Sequence, residues 1–274
     1  MNIYCNGDSF TAGEELLDHL FPGWPGYRTT GSIWIKDTDF NWLEIRKKIG
    51  STVFGDVENL LNEQKKKSWT GQLNEIDSSL FVMNGAVGGA SITGIANRTV
   101  LDLAKHKDKN FDFIFIQLTG PNRIEFYNSE LLENYFMRER PIGHLDKFPE
   151  KEREIAKKIV ECYSDKEFSI KYLYTMINLK FAVRGITGKD PIFLLSHKVW
   201  KDYILDSLSE NDKLYKNEII QILIKESGIL EIPDENIMEN VQLRYNFLHT
   251  PLLHFEPRCH VEFAKVIYNR YIKC

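Results

Sequence analysis

Ser9 is the first residue whose type and setting could support chemistry. It follows a short apolar run at residues 3–5 and the turn-forming triplet Asn6-Gly7-Asp8, and residues 12–20 fit a helix with its apolar side chains inward. The pattern predicts a serine on a strand-to-helix turn, where helix N-terminal amides can stabilise a negative oxygen. A hydroxyl in that place can act as a nucleophile. The alternative is that Asp8 or Ser9 only caps the helix, because both residue types are good caps.

Two further loops follow apolar runs of strand length. A glycine-rich turn, residues 84–91, comes after the run at 80–83 and before a helix predicted over 92–105. Its spacing matches neither a dinucleotide-binding nor a phosphate-binding loop, so it does not favour a nucleotide site. Asn122 follows the clearest predicted strand, residues 112–118. It could be a hydrogen-bond donor in a site or simply a turn former.

Strands that alternate with helices along the chain predict a doubly wound parallel sheet. We therefore expect an α/β fold with three layers, α/β/α, and a flavodoxin-like strand order. In such sheets the functional loops gather at the carboxyl ends of the strands. Ser9, Gly89 and Asn122 each follow a strand, so we expect them to converge although they are distant in sequence.

Two histidines near the C-terminal end are candidate general bases. His254 and His260 stand before and at the start of an amphipathic helix predicted over 261–272. An imidazole titrates near neutral pH, which suits it to proton transfer. A histidine beside leucines is, however, more often a half-buried packing residue than a catalyst.

In order and position, these segments resemble the SGNH (GDSL-type) hydrolase family. The blocks that carry the resemblance are Gly7-Asp8-Ser9, Asn84–Gly89 with Ala90-Ser91, Gly120-Pro121-Asn122, and the His254 loop before the closing helix. The match covers about residues 1–20, 69–123 and 190–274. Each block alone is a weak signal, whereas the first three in order, each after a strand, are moderately specific.

The resemblance implies a serine hydrolase that cleaves a carboxylic ester through an acyl-enzyme. It implies Ser9 as the nucleophile and His254 as the base that later returns the proton to the leaving alcohol. The oxyanion-hole donors would be the Ser9 and Gly89 backbone amides and the Asn122 side chain. No cofactor and no metal is implied. The expected substrate is a small-molecule or carbohydrate ester, as for a deacetylase of an acetylated sugar.

The chain departs from the family where an aspartate usually stands three positions before the histidine and orients it. Pro251 occupies that position. A backbone carbonyl could orient His254 in a Ser-His dyad, or Glu256 could supply the acid. His260 could be the base instead, with Glu256 one helical turn earlier, but we prefer His254 because the family often has a second histidine at the closing helix. The enzyme could also be impaired, since losing the orienting acid can cost about 10⁴ in rate.

Four further residues are candidates to contact the substrate or to support the site: Asp8, Arg123, Glu256 and His260. Arg123 could bind a substrate anion or brace its loop by pairing with an acid, and bracing is the more common role. His197, after a fourth strand predicted over 190–196, could line the pocket. We do not expect it to be catalytic.

Composition indicates an ordinary globular chain of 274 residues, with 43% hydrophobic residues and a formal net charge of -4. No basic excess favours a nucleic-acid partner, and no apolar run is long enough to cross a membrane. The scattered cysteines favour neither a zinc site nor a disulfide framework. Since residues 1–13 do not form a signal-peptide pattern, we expect a cytoplasmic protein, with its oligomeric state open.

We expect one domain, with insertions at about 21–66, 125–185 and 198–240 that form a cap over the active edge of the sheet. Two alternatives to an active esterase stay open. One is a binding module that holds a carbonyl or carbohydrate ligand without turning it over, which Pro251 favours. The other is an acyltransferase that uses an acceptor other than water.

Overall fold

A parallel sheet forms the centre of the protein. The computed structural model describes residues 1–13, 16–17, 20, 50–88, 90–121, 123–126, 138–141, 154, 158, 164–209, 217–247 and 255–273. The strands are β1 (Asn2–Asn6), β2 (Phe81–Asn84), β3 (Phe113–Leu118), β4 (Arg123–Phe126), β5 (Arg138–Pro141) and β6 (Ile192–Leu195). The central sheet has the strand order β2-β1-β3-β6. β4 and β5 pair antiparallel in a small second sheet.

Helices account for most of the remaining described residues. They are α1 (Ser9–Ala12), α2 (Val57–Lys67), α3 (Trp69–Ile76), α4 (Ile92–Lys105), α5 (Asp165–Thr187), α6 (Lys198–Ser209), α7 (Glu218–Ser227), α8 (Met238–Tyr245) and α9 (Pro257–Ile267). A π-helical turn, Tyr268–Ile272, continues α9. Of the helices described, none is long and apolar enough to cross a membrane.

The side chains of β1 alternate between two hydrophobic cores, one on each face of the sheet. Tyr4 joins the core built with α4, α5, α6 and α7, whereas Ile3 and Cys5 join the core built with α3, α8 and α9. Phe115 of β3 and Leu194 of β6 lie in the second core, between neighbours that belong to the first. Burial on both faces explains why these strands read as continuous apolar runs. The expected α/β/α layers are confirmed.

The strand order puts a topological switch point directly after β1. β1 pairs in parallel with β2 on one side and with β3 on the other, so the chain reverses its direction across the sheet between β1 and β3. This is the flavodoxin-like order, in which ligands bind at the carboxyl ends of the strands beside that switch point. Gly7-Asp8-Ser9 follows β1 at this place.

The first helix is shorter than predicted and begins earlier. It covers Ser9–Ala12 and ends at Gly13, whose φ of 75° lies in the left-handed region. A side chain at position 13 would overlap the Gln64 carbonyl oxygen and lie 2.9 Å from Ser68 Cβ. The helix predicted over 12–20 is therefore wrong, because the close approach of α2 requires a glycine that stops it.

Residues 123–126 and 138–141 form two short strands that the sequence analysis does not predict. In β4 the apolar residues Ile124 and Phe126 alternate with charged ones, which is a strand period. This pattern is only four residues long, and the charged composition of the surrounding segment obscures it.

The segments that we expect to be insertions contain helices of the core layers. α5 packs against α4 and α7 on one face of the sheet, and α2 packs against α3. Leu173, Met176 and Val183 of α5 are fully buried. The remaining residues of these segments lie largely outside the described ranges, so the cap and the insertion boundaries stay a prediction.

Candidate active site

Ser9 is the first residue of α1 and is 4% exposed. The N-cap of that helix is Asp8, whose Oδ1 accepts a hydrogen bond from the Phe10 backbone N–H at 3.2 Å. The capping alternative therefore holds for Asp8 and not for Ser9. Ser9 stands just past the carboxyl end of β1, at the switch point of the sheet.

The loop after β3 is hydrogen-bonded to the Ser9 loop through Asp8. The Thr119 hydroxyl donates to Asp8 Oδ2 at 3.0 Å, and both residues are fully buried. Tyr172 of α5 donates its hydroxyl proton to the Thr119 carbonyl oxygen at 2.7 Å. Thr119 begins the stretch that leads to Asn122, which lies outside the described residues.

The glycine-rich loop after β2 is also bonded to the Ser9 loop. The Val87 N–H donates to the Gly7 carbonyl oxygen at 3.4 Å, and the Gly85 N–H donates to the Cys5 carbonyl oxygen at 2.9 Å. Asn84 Nδ2 donates to the Thr11 carbonyl oxygen of α1 at 2.9 Å. Gly89 lies outside the described residues, two positions after Val87.

Gly7 makes the tight turn between β1 and α1 possible. A Cβ at position 7 would overlap Thr11 Oγ1 and lie 3.0 Å from Gln117 Cβ. Thr11 Oγ1 itself donates to Gln117 Oε1 at 2.5 Å, so α1 is bonded directly to β3 beneath it. The glycine of the first sequence block therefore has a packing reason that is independent of any substrate.

His260 is a buried structural residue of α9, 1% exposed. Its Nδ1 accepts a hydrogen bond from the Trp69 backbone N–H at 3.1 Å, at the start of α3. That N–H has no partner within its own helix. When Nδ1 accepts, the proton of the neutral ring stays on Nε2, so neither nitrogen has a lone pair for a serine proton. This contact speaks against His260 as the general base.

Glu256 is the N-cap residue of α9 and is 3% exposed. Its carboxylate accepts from Arg258 Nη2, with Oε1 at 2.9 Å and Oε2 at 3.3 Å. The carboxylate thus already has a cationic partner. Whether it also orients His254 stays a prediction, because His254 and Pro251 lie outside the described residues. The backbone of Arg123 begins β4 and pairs with that of Pro141 in β5.

An aromatic cluster joins the Ser9 loop to the chain next to His254. The Phe10 and Phe255 ring centroids lie 5.2 Å apart. His197, at the carboxyl end of β6, stacks on Phe255 at 5.0 Å and meets Phe10 edge-on at 4.9 Å. Its Nδ1 lies 3.1 Å from Ser196 Oγ. The ring of His197 is therefore packed against Phe10 and Phe255, and its role in lining a pocket stays a prediction.

Cysteine chemistry does not fit the described thiols. Cys5 and Cys259 are both fully buried in the core between the sheet and α9. Burial raises the pKa of each thiol well above its ordinary value, with the Glu256 charge as a second cause at Cys259. Neither thiol is a thiolate nucleophile at neutral pH. In the described part of the chain no group of His, Cys, Asp or Glu side chains could hold a metal ion.

Two features of this site escape sequence reasoning. Thr119 is not among the residues that the sequence singles out, although its position directly after β3 is a usable signal. The contact between Phe10 and Phe255 has no signal in the sequence, because the two residues are far apart in the chain and aromatic residues occur in many cores.

The strand order and the place of Ser9 define a doubly wound α/β protein that resembles the SGNH hydrolases. No family model matches the chain, and no curated protein matches it. Among solved structures it is similar to TesA, with a TM-score of 0.46, 10% identity, and coverage of 98% of this chain and 97% of that chain.

Two further similar structures are of named esterases. The psychrotrophic esterase EstA from Pseudoalteromonas sp., in a structure inhibited by monoethylphosphonate, has a TM-score of 0.44 and 10% identity, covering 99% of this chain and 97% of that chain. An acetyl xylan esterase, Est2A, from the rumen bacterium Butyrivibrio proteoclasticus has a TM-score of 0.41 and 12% identity, covering 98% of this chain and 64% of that chain.

Proposed function

We propose that the protein is a serine hydrolase that cleaves a carboxylic ester of a small molecule or a carbohydrate. Ser9 is the nucleophile and His254 is the general base. The backbone amides of Ser9 and Gly89 and the side chain of Asn122 stabilise the oxyanion. No metal or organic cofactor takes part.

One observation carries the proposal. Residues that lie one to three positions in sequence from Gly89, Asn122 and His254 all contact the loop that holds Ser9. Val87 is hydrogen-bonded to Gly7, Thr119 is hydrogen-bonded to Asp8, and Phe255 packs on Phe10. Consecutive Cα atoms are only about 3.8 Å apart. These contacts support a site in which segments remote in sequence meet around the Ser9 hydroxyl.

The chemistry needs only these groups. Ser9 Oγ forms a bond to the ester carbonyl carbon while its proton moves to His254, and the carbonyl oxygen becomes an oxyanion. Each aimed donor is worth about 3–4 kcal/mol in that transition state. The bond to the alcohol then breaks, and the alcohol leaves with the proton from His254. A water molecule then attacks the acyl carbon while His254 takes its proton. The bond to Ser9 Oγ breaks, Ser9 regains the proton from His254, and the acid is released.

His254 is preferred to His260 because of the hydrogen bond from Trp69. His260 is committed through Nδ1 to the start of α3. His254 directly precedes Phe255, which is fully buried against the Ser9 loop. The residue next to this contact is therefore the better candidate for the base.

Turnover of a short ester tests the proposal. Wild-type protein should hydrolyse p-nitrophenyl acetate, and Ser9→Ala should reduce kcat by a factor of at least about 10³. Ser91→Ala is the matched control, since Ser91 is a buried serine that caps α4 by accepting from the Gly94 N–H at 3.1 Å. It should lose stability and keep its activity. A wild-type protein that hydrolyses no short ester would contradict the proposal.

A binding module on the same scaffold is the second candidate. Pro251 favours it, because the acid that usually orients the histidine is missing at that position. Such a protein would be stabilised against heat by a carbonyl or carbohydrate ligand, without releasing product from any ester. Stabilisation by acetylated sugars together with absent turnover would favour this candidate.

A further inference from the structure

The hydrogen bond between Thr119 and Asp8 crosses the switch point of the sheet. It joins the residue after β3 to the residue before α1, over a sequence separation of 111 positions. Both side chains are fully buried. A buried hydrogen bond to a carboxylate is among the stronger interactions of its kind, because charge assists it and water does not compete.

The two oxygens of Asp8 have different partners. Oδ2 accepts from the Thr119 hydroxyl at 3.0 Å, and Oδ1 accepts from the Phe10 backbone N–H at 3.2 Å. The Phe10 N–H belongs to the peptide group that joins Phe10 to Ser9. The carboxylate therefore connects the end of β3 to the peptide bond directly after the nucleophile.

We propose that Thr119 is a positioning residue for Ser9 and acts through Asp8. Its hydroxyl holds the Asp8 carboxylate in the orientation that fixes the Ser9–Phe10 peptide group, and hence the direction of the Ser9 side chain. The inference rests on the proposed function. A nucleophile displaced by about 1 Å can lose on the order of 10²-fold in rate, so the hydroxyl affects the chemical step more than substrate binding.

The test compares two threonine-to-valine substitutions. Thr119→Val removes the hydroxyl that faces Asp8. Thr99→Val is the matched control: Thr99 is equally buried, and its Oγ1 accepts from Asn6 Nδ2 at 2.9 Å, so the substitution also removes a hydrogen bond to β1. For each variant, kcat and KM for p-nitrophenyl acetate and the free energy of unfolding are measured.

Thr119→Val should lower kcat by a factor of about 10 to 10² with little change in KM. Thr99→Val should lose comparable stability and keep its kcat. Thr119→Ser retains the hydroxyl and should restore most of the activity. If Thr119→Val does not fold, Thr119→Cys replaces it, since a thiol is a weak donor, and its kcat should fall between those of the serine variant and an inactive protein.

Two results overturn the inference alone while wild-type protein remains an active esterase. One is a kcat of Thr119→Val (or of Thr119→Cys in its place) equal to that of Thr99→Val. The other is a rise in KM at constant kcat, which would assign Thr119 to substrate binding. A wild-type protein with neither ester turnover nor serine labelling would overturn the proposed function and this inference together.

Discussion

Phe10 and Phe255 are in ring contact, with their centroids 5.2 Å apart and their planes inclined by 44°. Phe10 follows the proposed nucleophile and Phe255 follows the proposed base. Phe255 is fully buried and Phe10 is 5% exposed. The ring contact therefore joins the segment of the proposed nucleophile to the segment that follows the proposed base.

Phe255→Leu tests the role of that contact. The smaller side chain leaves a small cavity, so it should cost stability, though less than a truncation to Ala, which costs about 3–5 kcal/mol. It should lower kcat more than it raises KM, because the segment that carries His254 loses its ring contact with α1. Phe263→Leu is the control, since Phe263 is equally buried in the same core but packs on Trp69. Equal kcat values in the two variants would contradict a special role for Phe255.

The two histidines should separate activity from stability. His254→Ala should lose nearly all turnover with little change in the free energy of unfolding. His260→Ala leaves the Trp69 N–H without its acceptor and should cost about 1–3 kcal/mol, with the remaining folded protein still active. Chemical denaturation and steady-state kinetics on both variants measure the two effects. A stable, inactive His260→Ala together with an active His254→Ala would reverse the assignment.

Gly7→Ala should lower both the stability of the protein and the activity of the proposed site. The added methyl group would overlap Thr11 Oγ1, and overpacking of this kind costs about 1–3 kcal/mol. Gly185→Ala in α5 is the control, since its Cβ would meet nothing within 4 Å. That change should stabilise the helix by up to about 1 kcal/mol. Thermal unfolding of both variants checks the difference, and a neutral Gly7→Ala would contradict the described turn.

The buried thiols should be unreactive in the folded protein. Burial raises the pKa of Cys5 and Cys259, so alkylation at mildly alkaline pH should modify them only after unfolding. Because the folded thiols keep protons that the unfolded thiols release, the free energy of unfolding should fall as pH rises above about 8.5. Peptide mapping after brief alkylation measures the first effect. Rapid modification of Cys5 in native protein would contradict its placement.

The sequence predicts the sheet and the loops after its strands, because both depend on local patterns. The continuous apolar runs at β1, β3 and β6 indicate strands covered on both faces, and a strand must end where polar and glycine residues begin. Gly7 and Ser9 are recognisable for this reason. The loops after the strands are then expected to converge, because alternating helices and strands indicate a parallel sheet whose strands share one carboxyl edge.

Long-range partners are not predictable in this way. His260 reads as a candidate base, yet its partner is a backbone amide 191 positions away. The length of α1 depends on α2, which approaches Gly13 so closely that no side chain fits there. Neither contact leaves a local signature, since each depends on how two elements pack once the whole chain is folded.

The central claim is that Ser9 is an activated nucleophile, and covalent labelling tests it most directly. Native protein is treated with a fluorophosphonate probe, and the modified peptide is mapped by mass spectrometry. The account predicts one adduct, on Ser9, which is absent in Ser9→Ala and in heat-unfolded protein and strongly reduced in His254→Ala. Active esterase that carries its adduct on another residue, or no adduct at all, would contradict the account.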